Sequence, residues 1–560
     1  MKNPRSEIAT ANIAKILRSL SWPIWLFAAA WIALAIYWQW LVHVDGIFGE
    51  MWDTLPAYQL LGEMSIADIV SELLRKYAFV HIIALPKLGF WIDFHFFGAS
   101  GRFTHAASFF VLVLCFLCVT YIAIRDYQRP IVCIALALLL FFNGFQSFVV
   151  NWESLLQYYL SVFFALLAFI VYEKSPSRLF FPAVLLLLSA LSCGASIAAI
   201  VGFSFMLLVR VVCDVKISRS ALGGYAFFLL AMVWLLNPDT ADSFILQDPK
   251  PFFWNAPNLL LQYLAYPFSA WGDFRWLGFG MLAAAAHSVW RCIILRNGML
   301  SDYIFIYFFL IACTITLGRY KFMGVDSDVS RYYVYIAPLW YFLLLKFLPL
   351  SARLFKAVSI VFCTFLILGS LASVVVAANM AQKMTLARTV ALNGNFQHFA
   401  SQRLDALRGL PANLENSSEY LLANQMDIYY QLERKAEQSD RVCHIKLLRT
   451  FNTTKGVFVD YVLQENTVPL MSLYLASDDG GILFYGTAFA AVTHLNGWGI
   501  ALRDVRVTDW PLLLPLVWLP SEQRRLFIHL PRTVPLSSLS AWAKDTQGNW
   551  CRLAISAAQE

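Results

Sequence analysis

Long apolar runs alternate with short polar connectors through the first two thirds of the chain, and then the pattern changes. Runs near 22–42, 104–124, 130–150, 155–171, 179–193, 195–212, 222–236, 276–294, 303–317, 332–348 and 355–377 are apolar on every helical face. A helix that is apolar all round is buried in a large core or in lipid. About 20 such residues cross a bilayer. The runs therefore predict about eleven membrane spans, with the fifth and sixth joined by a very short turn at Cys193-Gly194. The stretch 259–266 reads as an interfacial helix or as part of a span.

Two further patterns interrupt the series. Residues 65–77 ("SIADIVSELLRKY") put Ile66, Ile69, Val70, Leu73 and Leu74 on one helical face, the mark of a helix lying along an interface. Residues 77–103 are apolar but broken by His81, Pro86, Lys87, Asp93 and His95, and read as a membrane-surface helix or a bent helix pair. Beyond residue 377 the apolar runs end. Residues 401–435 are polar and helical in pattern. After them apolar and polar positions alternate between the turn signals "DDGG", "LNGWG" and "TQGNW", which reads as strands. "WPLLLPLVWLP" is too short to span and holds three prolines. The expected architecture is a polytopic α-helical membrane domain over 1–377 and a soluble α+β domain over 378–560, helical first and β-rich later.

Composition agrees with this division. Hydrophobic residues make up 59% of the chain and charged residues 14%, with a mean hydropathy of +0.62. Soluble domains carry about 25% charged residues. The net charge of +7 is therefore no sign of nucleic-acid binding. In a membrane protein, basic residues mainly set topology. The basic N-terminus, Arg125 with Arg129, Lys174 with Arg178, Arg210 with Lys216 and Arg219, Arg291 with Arg296, and Arg353 with Lys356 all fall on one side if the spans alternate. That side is expected to be cytoplasmic, with the C-terminal domain extracytoplasmic. The first run is too long for a signal-peptide core and has no small-residue cleavage site, so it is expected to be retained. Most of the ten cysteines lie in apolar runs. Only Cys443 and Cys551 lie in the polar part, and no spacing suggests zinc. Two sequons start at Asn416 and Asn452.

The candidate chemistry gathers on the opposite face. Asp45, Glu50 and Asp53 ("DGIFGEMWD") follow the first span closely. A carboxylate there can serve as a general base. The same residues fit a helix-capping loop, with Asp53 as cap and Pro56 near a helix start. His81 and Lys87 are ligand candidates or snorkelling side chains. "VNWESLLQYY" places Asn151 and Glu153 at the outer ends of the third and fourth spans, as site residues or as an ordinary interfacial turn. "LGRYKFMGVDSDVSRYYVY" carries Arg319, Lys321 and Arg331 on the face expected to be poor in cations. Arg suits bidentate phosphate recognition, and Tyr332 lies beside Arg331. Interfacial Arg with a tyrosine belt is the alternative.

Taken in order, the early acidic cluster, "HIIALPKLGFWID", "NWESLL" and the "GR…SRY" pair resemble the bacterial multi-span glycosyltransferases of the GT-C fold. The resemblance covers most of residues 20–350. It implies an inner-membrane enzyme that takes a sugar from a polyprenyl-phosphate donor to a glycan, lipid or protein acceptor on the outer face. Asp53 matches the position of the family's base, with Glu50 and Asp45 beside it. Family members often carry two adjacent acidic residues, whereas Met51 and Trp52 separate the pair here. Arg319 and Arg331, with Lys87 and His81, would hold the donor phosphate. Asn151, Glu153 and Tyr332 would line the sugar or acceptor pocket. Some members of the family need a divalent metal and others do not; the three carboxylates here could bind one such as Mg or Mn. Membrane lipids are partners on this reading, and nucleic acid is not. The competing readings are an O-antigen or polysaccharide polymerase, and a transporter or flippase for lipid-linked sugars.

Overall fold

The computed structural model describes residues 22–42, 65–75, 82–146, 155–213, 218–236, 249–266, 268–270, 273–319, 329–347 and 364–368, and strand segments between 442 and 556. Its contacts divide the chain into two units. One comprises Met1–Trp40, Met64–Trp91 and Phe103–Leu371; the other comprises Leu41–Glu63, Ile92–Arg102 and Ala372–Glu560.

The helices in chain order are α1 (Trp22–Val42), α2 (Ile66–Leu74), α3 (Ala84–Phe97), α4 (Arg102–Tyr127), α5 (Pro130–Phe141), α6 (Leu156–Lys174), α7 (Phe180–Ala190), α8 (Ile197–Val212) and α9 (Arg219–Leu236). They continue with α10 (Pro249–Ala265), α11 (Leu277–Ile293), α12 (Leu300–Arg319) and α13 (Tyr333–Phe347). Among the described residues, α4, α6, α12 and the stretch Gly194–Val212 are long and apolar enough to cross a membrane. The chain is thus a helical membrane protein. In lipid every backbone group must be satisfied within the protein, which leaves the helix as the default.

The most buried of these four is α12, which packs against α8, α10, α11 and α13. Its close approach to α8 depends on a glycine: a Cβ at Gly202 would stand 3.2 Å from the Tyr307 Cβ. On α11, a Cβ at Gly278 would come within 2.8 Å of the Leu261 carbonyl oxygen of α10. Lipid tails give helices no hydrophobic reason to associate, so backbone proximity and hydrogen bonds must supply it. Such bonds are present. Ser161 and Ser196 hydroxyls meet at 2.8 Å, Ser189 donates to the Ser161 carbonyl, and Ser196 donates to the Ser189 carbonyl. Together they tie α6, α7 and the turn before α8. The cysteines at 115, 133, 193 and 292 are buried free thiols, in keeping with small hydrophobes.

One expected span is corrected. The third run, 130–150, does not continue as one helix. Helix α5 starts with Pro130 in its first turn and stops at Phe141, after 12 residues. Asn143 ends it: its side-chain amide donates to the carbonyls of Leu139 and Leu140. A short polar side chain that offers the backbone another partner breaks a helix in this way. The stretch 259–266 belongs to a longer helix, α10, with Pro257 inside it.

The second unit carries a seven-stranded sheet of β1 (Val442–Asn452), β2 (Val457–Leu463), β3 (Leu470–Ser477), β4 (Ile482–Thr487), β5 (Gln523–Ile528), β6 (Leu539–Asp545) and β7 (Trp550–Ser556). The strand order is β4-β3-β6-β7-β1-β2-β5. Neighbours are antiparallel except β1 and β7, where Cys443 stands opposite Leu553. Cys443 and Cys551 therefore lie on adjacent strands. The polar stretch expected to be helical before β1 lies outside the described residues.

Candidate functional site

The charged side chains of the helical unit separate into two groups. The first joins the ends that the basic residues assign to one side. Glu173, at the end of α6, accepts from Arg125 of α4 at 2.5 Å and from Arg210 of α8 at 3.0 Å. Asp302, fully buried in the first turn of α12, pairs with Lys346 of α13 at 2.8 Å and with Arg291 of α11 at 3.3 Å. Asp302 also accepts from the Met299 backbone N–H, and Asp126 accepts from that of Ser301 at 2.7 Å. Lys346 donates further to the Ser288 hydroxyl. These carboxylates cap helix starts and neutralise the cations around them. Sequence reasoning used the cations for topology and missed the carboxylates. The signal was available, because Asp126 and Glu173 each sit within a residue of a basic residue already singled out.

The second group lies toward the opposite helix ends. The 3₁₀ turn Val329–Tyr332 brings Arg331 in just before α13. Arg331 is 5% exposed, with its guanidinium 5.5 Å from the Tyr332 ring centroid. Tyr332 stacks with Tyr158 of α6 at 5.5 Å and meets Tyr263 of α10 edge-on at 5.6 Å. Tyr335 lies 5.3 Å from Tyr158 on another side. Arg319 is the last residue of α12. The structure thus brings Arg331 and Tyr332 together beside the buried Tyr158. An arginine among tyrosine faces keeps its planar fork while shedding water.

The broken helix α5 borders this cluster. Asn143 donates to the Tyr333 hydroxyl at 2.8 Å, and the Tyr159 hydroxyl donates to the Gln146 side-chain oxygen at 2.8 Å. Phe145 lies 5.4 Å from the Tyr333 ring and 5.8 Å from that of Tyr266. Asn143 and Gln146 were not expected as site residues. The signal that could have found them is the Asn-Gly pair inside an otherwise apolar run.

Lys87 stands apart from the arginines in its contacts. It is buried, and its ammonium donates to the carbonyls of Glu72 at 2.5 Å and Arg75 at 3.0 Å, beside the Glu72 carboxylate at 3.5 Å. It thereby caps the C-terminal end of α2. Burial pushes the lysine pKa down, and Glu72 partly restores it. In this arrangement the ammonium serves the end of α2. The amphipathic face of α2 stays open, with Ile66, Val70 and Leu74 exposed. Asp45, Glu50, Asp53, His81, Asn151 and Glu153 lie outside the described residues. Among the described residues no group of three His, Cys, Asp or Glu could hold a metal ion.

These features define a class, a helical membrane protein with a buried arginine and tyrosine layer toward one set of helix ends. Compared with family models, curated proteins and solved structures, the chain matches none.

Proposed function

We propose that the chain is an inverting integral-membrane glycosyltransferase of GT-C type. It would move a sugar from a polyprenyl-phosphate donor to a cell-envelope glycan, lipid or protein on the outer face. The observation that supports this most is the buried Arg331 beside the Tyr158–Tyr332 pair. A cation with a planar fork suits a phosphate monoanion or diester, and a buried setting strengthens its field. In the proposed step, a carboxylate of the first outer loop takes the proton of an acceptor hydroxyl. Asp53 stands for this role, with Glu50 and Asp45 as neighbours. The acceptor oxygen bonds to the anomeric carbon as the bond from that carbon to the phosphate oxygen breaks. Polyprenyl phosphate leaves with the electron pair, and the arginines offset its growing charge. The membrane part would hold about eleven spans, with the N-terminus cytoplasmic and the α+β domain outside.

The test supplies labelled polyprenyl-phosphate sugars to membranes holding wild type, Asp53→Asn, Glu50→Gln or Arg331→Ala. Wild type is expected to transfer sugar, and Arg331→Ala to lose about 100-fold. One carboxylate variant should lose transfer while folding normally. Wild type that consumes no donor would overturn the reading. The interruption of α5 favours a second reading, since transporters build sites from broken helices. Donor that is translocated but never consumed would establish that reading instead.

A further inference from the structure

Helix lengths single out one layer of the helical unit. At 1.5 Å per residue, the 12 residues of α5 cover about 18 Å and the 15 residues of α13 about 22 Å. The hydrocarbon core of a bilayer is about 30 Å thick. Neither helix crosses it alone, whereas α4 with 26 residues and α12 with 20 do. The two short helices run side by side. The Tyr341 hydroxyl of α13 donates to the Cys133 carbonyl of α5, and Tyr333 meets Asn143 at the other end. Cys133 and Tyr341 lie toward the paired charges, so α5 ends at the arginine and tyrosine layer, where the 3₁₀ turn Val329–Tyr332 leads into α13. With only about 18 Å of helix before it, the non-helical backbone at Phe142-Asn143 would fall short of the far side of a bilayer core. Backbone of that kind persists in a membrane only when buried in protein or lining a polar site.

The polar groups at this break are not all satisfied internally. Gln146 is 1% exposed, and its oxygen is held by Tyr159. Its side-chain NH₂ finds no acceptor among the described residues. A buried amide donor left in that state is destabilising, so it calls for an acceptor from elsewhere. The amide's partner Tyr159 is the chain neighbour of Tyr158, whose ring lies 5.5 Å from that of Tyr332. At the same break Asn143 donates to Tyr333, the chain neighbour of Tyr332.

We propose that the break in α5 is a hydroxyl-reading subsite, in which the Gln146 amide donates to a sugar hydroxyl of a lipid-linked substrate while the arginines face its phosphate. Tyr159 is the positioning residue, because it holds the amide oxygen and so aims the NH₂. The inference rests on the sugar-phosphate reading of the arginine cluster. A neutral amide distinguishes a sugar from a bare lipid phosphate, and an arginine does not.

The experiment uses the full chain in nanodiscs and two labelled probes, a polyprenyl-phosphate hexose and polyprenyl phosphate alone. Gln146→Leu is expected to weaken binding of the hexose probe roughly tenfold and to leave the bare phosphate probe unchanged. Tyr159→Phe, a milder change that keeps the ring, should shift the same ratio about threefold. Arg331→Ala should weaken both probes. If Gln146→Leu and Tyr159→Phe leave the ratio of the two affinities at its wild-type value, the amide serves a bound water or packing and the subsite is refuted. If wild type binds neither probe, the underlying sugar-phosphate reading falls first.

Discussion

The two charged layers of the helical unit use similar residues to different ends. In one, Arg125, Arg210, Arg291 and Lys346 each sit against a carboxylate, and Asp302 also accepts from a backbone N–H. In the other, Arg331 lies beside the Tyr332 ring, and the broken helix with its buried amide borders the same tyrosines. The first arrangement neutralises its own charge and locks helix ends together. The second sets a buried guanidinium against aromatic faces. A buried cation answered by a carboxylate supports the fold, and a guanidinium beside aromatic rings keeps its planar fork while shedding water.

The largest effect that could break this comparison is expected at Asp302. Asp302→Asn leaves Lys346 buried opposite a neutral amide, and should cost about 3–5 kcal/mol. Thermal unfolding in detergent would show it as a large fall in melting temperature. Adding Lys346→Met should recover much of the loss, because the stranded charge is then gone. A smaller loss is expected at Glu173. Its partners Arg125 and Arg210 are 23% and 28% exposed, so water can take over part of its role. Glu173→Gln should cost about 1–3 kcal/mol in the same assay. Arg331→Ala, by contrast, should shift melting less than Asp302→Asn while removing transfer. If Arg331→Ala proves the more destabilising, the division of labour between the layers is wrong. The smallest effect is expected in the serine cluster, away from both layers. Ser161→Ala removes one interhelical hydrogen bond and should cost about 0.6 kcal/mol.

Much of the fold was legible because the lipid-facing pattern is local. The first run, 22–42, is helix α1 residue for residue, and the ninth, expected over 303–317, lies within α12. A helix apolar on every face needs no tertiary information to be recognised. The third run misled because hydropathy averages over a window. Within "LLLFFNGFQSFVV" three polar residues and a glycine hardly alter the mean, yet Asn143 ends the helix. The partners of Lys87 were hidden for a different reason. A lysine near a membrane surface is compatible with phosphate, headgroup or backbone partners, and only the packing of α2 against α3 selected the last.

The sequence by itself determined that the chain is a helical membrane protein and where most of the described helices run. Periodicity, length and residue chemistry are properties of short stretches, so they survive without coordinates. The tertiary structure alone decided which charges cancel. Glu173 draws together residues 125 and 210, and Asp302 draws together 291 and 346. It also placed Gln146 beside Tyr159, and Arg331 beside Tyr332 and Tyr332 beside Tyr158. Hydrogen bonds and ion pairs act over a few ångströms, and whether residues nearly two hundred positions apart come that close depends on how the helices pack.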